Sequence, residues 1–199
     1  MLCILLIIPA ISQAKDFKEG TNYSLIAKPI ATQTGDKIEV LEFFWYGCPH
    51  CFSFEPTINK WKKSLPSNVH FVRMPSPLNP RWMVHTKTYY TLQSMGEAEN
   101  HHEAIFRAMH IEKKKLYTKQ IIADFLEDRG VDKAKFLSTF DSFAVEMRAR
   151  QALQLGQQYN LTGVPALAVN GKYTISAEQA GGYQAMVDVA SYLIQKESK

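Results

Sequence analysis

Cys48-Pro49-His50-Cys51 is the segment of this chain whose residue types and spacing point most directly to chemistry. Two thiols two residues apart can close one disulfide and pass it on by exchange with another thiol. A cysteine at the start of a helix meets free N–H groups and the positive end of the helix dipole, and both favour the thiolate. Cys48 is therefore the expected attacking sulfur, exposed at the helix start. His50, between the two cysteines, can add a hydrogen bond or a positive charge. Cys51, one turn further in, is expected to be more buried and to act as the resolving thiol. A permanent structural disulfide is the bland alternative, but a two-residue loop would leave it strained and exposed. A zinc site needs two further ligands. His50 could supply one, yet no second C-x-x-C or spaced histidine pair accompanies it, so no metal is expected.

The pair needs a rigid strand before it and a helix after it. Lys37 to Phe44 reads as a central strand, apolar on both faces except at Glu42. A carboxylate in such a strand needs a partner, and Arg73, near the end of the next strand, is a plausible one. Pro49 suits a first helical turn, where its missing N–H costs nothing. Phe52, Ile58, Trp61 and Leu65 continue a helical stripe, which Pro56 is expected to kink. Val69 to Met74 reads as a second strand. Pro75-Ser76-Pro77-Leu78-Asn79-Pro80 then breaks the chain. Helical periodicity follows at roughly Arg81–Met95, Glu97–Met109, Thr118–Arg129, Lys133–Thr139 and Ser142–Tyr159, with Gly96 and Gly130 where helix ends need them. Strand signals return at Ala166–Val169 and Lys172–Ile175, joined by Asn170-Gly171, a strong hairpin signature. Gln179 to Lys196 reads as a closing amphipathic helix. The order β, α, β, a block of helices, then ββα gives an α/β class: a thioredoxin fold with a large helical insertion. Residues 15–74 and 161–199 form the two parts of that fold, and residues 75–160 the insertion.

Residues 1–14 are set apart. Met1 to Ile11 is apolar, and Ser12-Gln13-Ala14 offers small residues where a signal peptidase reads them, so a secretory signal cleaved after Ala14 is expected. The run is too short to span a bilayer, although no Lys or Arg precedes it. Cys3 belongs to this segment. The chain as a whole has an ordinary globular composition, 46% hydrophobic and 12% aromatic, and the part after residue 14 is long enough for a well-packed core. The net charge of +4 and pI near 8.9 are only mildly basic. Lys113-Lys114-Lys115 reads as a solvated helix end, so no nucleic-acid partner is expected. The histidines His70, His85, His101, His102 and His110 show no ligand spacing and read as surface or interface residues. Trp45, Tyr46, Phe54 and Trp82 either contribute to an apolar surface near the cysteines or belong to the core.

Three segments together carry a family resemblance. Glu42-Phe43-Phe44, Cys48-Pro49-His50-Cys51, and Gly163-Val164-Pro165-Ala166 followed by Val169-Asn170-Gly171-Lys172-Tyr173 closely resemble the DsbA family of bacterial periplasmic thiol oxidases. The likeness covers essentially the whole chain after residue 14. It implies a periplasmic enzyme without a bound cofactor. Such an enzyme donates its Cys48–Cys51 disulfide to unfolded, newly secreted proteins with free thiols, through a mixed disulfide at Cys48. A DsbB-like quinone-linked membrane oxidase would restore the disulfide. The resemblance places Glu42 beneath the cysteines, assisting proton transfer at Cys51. It makes Val164–Pro165 a cis bond facing them, where backbone near Val164 can pair with an extended substrate. No separate dimerisation domain is apparent, so a monomer is expected. Two departures stand out: some relatives carry a second, structural cysteine pair that is absent here, and Gly47 occupies a position where bulky residues are familiar. A disulfide isomerase or reductase on the same fold, and a non-catalytic periplasmic holdase, are the competing readings.

Overall fold

The computed structural model describes residues 16–199, so the expected signal segment and Cys3 lie outside the described residues. The strand β2 (Ile38–Phe44) is buried along its whole length, as its apolar content requires of a central strand. It pairs in parallel with β3 (Val69–Pro75) on one side and antiparallel with β4 (Ala166–Val169) on the other. β5 (Tyr173–Ser176) continues the sheet beyond β4, and a two-residue strand, β1 (Ser24–Leu25), lies along its far edge. The order is β1-β5-β4-β2-β3. The parallel crossover from β2 to β3 runs through α1 (Pro49–Lys62), the connection such a pair requires.

Between β3 and β4 stand a 3-10 turn (Pro80–Trp82) and the helices α2 (Met83–Met95), α3 (Ala98–His110), α4 (Lys119–Glu127), α5 (Lys133–Phe140) and α6 (Phe143–Gln158). Their boundaries follow local chemistry. Thr118, Asp132 and Ser142 each accept a backbone N–H three residues on, and so cap α4, α5 and α6. Gly96, at φ 78°, closes α2. This is the expected thioredoxin-type sheet interrupted by a helical insertion. Phe44, Tyr46, Leu92, Phe106 and Leu126 form a core between the insertion and the sheet, and Cys48 and Cys51 lie at its margin. A second core joins Val40, Phe54 and Ile58 to the closing helix.

Several expectations need correction. The closing helix does not start at Gln179. A short α7 (Ala177–Ala180) ends at Gly181 and Gly182, whose φ values of 95° and 122° break the helix, and α8 spans Tyr183–Glu197. Glu42 is not the only acidic residue buried in β2: Glu39 is buried too, and its carboxylate accepts the Gln33 N–H at 3.0 Å.

The hairpin between β4 and β5 has Asn170 at φ 50° and Gly171 at φ 67°, with the Lys172 N–H donating to the Val169 carbonyl at 3.0 Å. Positive φ at both central residues is what a tight hairpin of this hand needs. A Cβ at Gly171 would also fall 1.9 Å from the Ile30 carbonyl oxygen. Gly171→Ala should therefore lower the unfolding free energy by roughly 1–3 kcal/mol. Urea unfolding checks this, and an unchanged midpoint would refute it.

Candidate active site

The end of β2 and the start of α1 build the site from backbone outward. Cys48 has an extended backbone, φ −87° and ψ 116°, and is the N-cap of α1. Its N–H donates to the Trp45 carbonyl at 2.9 Å. Its sulfur accepts the Cys51 N–H at 3.3 Å, standing where a Ser or Asp oxygen usually caps a helix. Pro49, at the first helical position, has no N–H to satisfy. The two sulfurs are not bonded to each other, so the geometry is that of the dithiol.

Cys48 is less open than expected, 7% exposed against 1% for Cys51. The reason is the loop before β4. Val164–Pro165 is a cis peptide, and the Val164 carbonyl lies 3.4 Å from the Cys48 sulfur. The protonated thiol can donate to that carbonyl, and the thiolate accepts from Cys51. The second role wins. The hydrogen bond from the Cys51 side chain, then the backbone N–H groups of Cys51 and His50 and the His50 charge, bring the Cys48 thiol down to about 6 against the opposing effect of burial. Burial, followed by the hydrogen bond and charge of Cys48, pushes Cys51 well above the ordinary thiol range. One sulfur is made a thiolate at neutral pH and the other is kept a thiol. His50 is exposed, and its Nδ1 lies 3.2 Å from the Tyr183 hydroxyl.

Glu42 stands opposite Arg73 in the β2–β3 register and is 1% exposed. Arg73 Nε lies 3.2 Å from Glu42 Oε2, yet neither atom makes an aligned hydrogen bond. Arg73 spends its other N–H groups elsewhere. It donates to Asn59 Oδ1 at 2.6 Å and to both Glu99 oxygens at 2.9 Å, and reaches Glu55 Oε2 at 3.5 Å. Glu55 Oε1 lies 3.1 Å from His102 Nε2, whose Nδ1 lies 3.1 Å from the Tyr46 hydroxyl. Three carboxylates thus share one guanidinium. Glu55 is held below the usual carboxylate range by His102 and Arg73 despite its burial. Arg73 and Lys62 bring Glu99 down to about 2, again against burial. Burial and repulsion from Glu55 push Glu42 up to about 8, against the pull of Arg73. Glu42 is therefore the carboxyl that keeps its proton at neutral pH.

Sequence reasoning paired Glu42 with Arg73 but missed Glu55, Glu99, His102 and Tyr183, which no short spacing connects. His102 and His85 are buried rather than at the surface. His85 Nε2 lies 2.6 Å from the Leu116 carbonyl oxygen, and burial brings its pKa down to about 4. Tyr46 and Phe54 are core residues. Trp45 and Trp82 stack at 4.2 Å and line a groove of about 640 Å³ with Pro80, Val84 and Tyr117. Gly47 is explained by this pair: a Cβ there would stand 2.2 Å from the Trp45 ring. Among the described residues no cluster of three or more His, Cys, Asp or Glu could hold a metal ion, and no helix is long and apolar enough to cross a membrane.

A stabilised thiolate one helical turn from a protonated partner performs thiol–disulfide exchange, and on this sheet it defines a thioredoxin-fold thiol:disulfide oxidoreductase. The profile of the DSBA-like thioredoxin domain matches residues 82–193, from the insertion to the closing helix. Full-length relatives cover the cysteine motif as well. The thiol:disulfide interchange protein DsbA of Pseudomonas aeruginosa is 47% identical over 186 residues, 94% of this chain and 88% of its own. That of Pseudomonas syringae pv. tomato is 44% identical over 184 residues, 92% of this chain and 86% of its own. The crystal structure of Pseudomonas aeruginosa DsbA superposes with a TM-score of 0.89, covering 93% of this chain and 96% of that one. The chain belongs to the DsbA-like thioredoxin family.

Because the Cys48 pKa is depressed, thiolate stabilisation of the reduced fold is complete above the ordinary thiol pKa and is lost as pH falls through about 6. Alkylation of the reduced protein at Cys48 should follow a single titration with its midpoint near pH 6. A midpoint near 9 would contradict this electrostatic account.

Proposed function

We propose that this chain is a periplasmic oxidase that gives its Cys48–Cys51 disulfide to newly secreted, unfolded proteins bearing free thiols. The observation that carries the proposal is the helix-capping Cys48 sulfur with its thiol pKa near 6. A substrate thiolate attacks Cys48 Sγ. The Cys48–Cys51 bond breaks, and Cys51 leaves with the electron pair. Cys51 has a high proton affinity, and Glu42, protonated at neutral pH, is the group we assign to supply that proton. A second substrate thiolate then attacks the substrate sulfur of the mixed disulfide and expels Cys48. A thiolate of low pKa leaves readily, so this step runs toward substrate oxidation. Two electrons pass from the substrate dithiol to the protein pair, with no bound cofactor.

The roles of the neighbouring residues are part of the same proposal. His50 adds charge beside Cys48. Pro49 fixes the first helical turn. Val164 and Pro165 present backbone to an extended substrate, which gives affinity without sequence selectivity. A DsbB-like quinone-linked membrane oxidase returns the pair to the disulfide, residues 1–14 direct export and are removed, and the enzyme works as a monomer.

In cells lacking their periplasmic thiol oxidase, the wild-type chain should restore disulfide formation, and Cys48→Ser/Cys51→Ser should not. Cys51→Ser alone should accumulate substrate adducts at Cys48 on non-reducing gels. Full rescue by the double variant would overturn the proposal in favour of a holdase.

A further inference from the structure

We propose that Tyr183 is a positioning residue for His50, holding the imidazole beside Cys48 and so favouring the reduced pair. The inference rests on the reading of His50 as part of the active site. Tyr183 opens α8, immediately after the Gly181-Gly182 break that starts the helix anew. Its ring packs on Phe54 with centroids 5.5 Å apart, and Phe54 is fully buried in α1. The phenol is thereby anchored to the helix that carries His50. Its hydroxyl lies 3.2 Å from His50 Nδ1. Both residues line a cavity of about 380 Å³ with Val164, Pro165 and Glu178, the face at which Cys48 meets its substrate in the proposed reaction.

His50 is exposed. An exposed ring without a partner samples several rotamers, and a charge that swings into water is screened. The phenol hydroxyl both donates and accepts. It accepts from Nδ1–H of the imidazolium and donates to Nδ1 of the neutral ring, so the contact survives a change of protonation. The charge that helps hold the Cys48 thiolate then stays in place. Both cysteines are felt at Tyr183 in turn: burial, then the charges of Cys48 and Cys51, raises its own pKa.

Tyr183→Phe removes the hydroxyl and keeps the ring on Phe54, and unfolding curves of the oxidised forms check that the fold is retained. The glutathione equilibrium at pH 7 is the readout. Tyr183→Phe should make Cys48–Cys51 about two- to threefold harder to reduce, a potential about 9–14 mV less oxidising at 29.6 mV per tenfold. The alkylation midpoint of Cys48 should rise with it. In a His50→Ala background the same substitution should change neither quantity. No change in the His50 background, or an equal change in both backgrounds, would overturn the assignment. A thioredoxin-like potential in the wild-type protein would refute the oxidase reading instead, and the two failures are separable because the cycle compares variants with each other.

Discussion

A helix leaves its first N–H groups without intrahelical partners, and in this protein one of the acceptors they find is the sulfur that does the chemistry. The contact between Cys48 Sγ and the Cys51 N–H ties fold to function. The cap is strongest when the sulfur is a thiolate, and closing the disulfide removes that charge. The helix therefore stabilises the reduced pair more than the oxidised one, and the oxidised pair becomes an oxidant. With Cys48 lowered from 9.0 to about 6, at most about 1.4 kcal/mol of this is realised at pH 7, or about 30 mV for two electrons. The reference potential of the family is about −120 mV and that of thioredoxin about −270 mV. Thiolate stabilisation of this size contributes to such a gap without spanning it.

The charges gathered around Arg73 follow a second constraint. One guanidinium cannot neutralise three carboxylates, so their protons are distributed by access. Glu99, at the rim, ionises most readily. Glu55 ionises because His102 and Asn59 add hydrogen bonds to the pull of Arg73. Glu42, close to Arg73 but without an aligned hydrogen bond from it, keeps its proton to about pH 8. The same arginine joins β3 to α1 through Asn59 and Glu55 and to α3 through Glu99. The arrangement that leaves Glu42 protonated is thus also a tie between the sheet and the insertion. A pair buried as deeply as Arg73 and Glu55 gains little net energy over apolar packing.

Much of this was legible in the residues. The alternation of strand and helix signals around Cys48-Pro49-His50-Cys51, the breaker run before the insertion and the Asn170-Gly171 hairpin all rest on local chemistry, and local chemistry decided them. β1 escaped because two residues carry no period. The helix restart at Gly181-Gly182 escaped because the apolar pattern of α8 runs on backward through α7. Burial at Cys48 comes from the Val164 carbonyl, far away in the chain. Tyr183 and His102 likewise meet their partners only after the sheet and helices pack. A single sequence records residue types at such positions but not their meeting.

The redox equilibrium of Cys48–Cys51 against a glutathione series at pH 7 tests the central claim most directly. The account predicts a potential on the oxidising side of thioredoxin's, with the equilibrium against glutathione shifting away from the reduced pair as pH falls toward 6. A value near about −270 mV would contradict it and would make the chain a reductase built on the same fold.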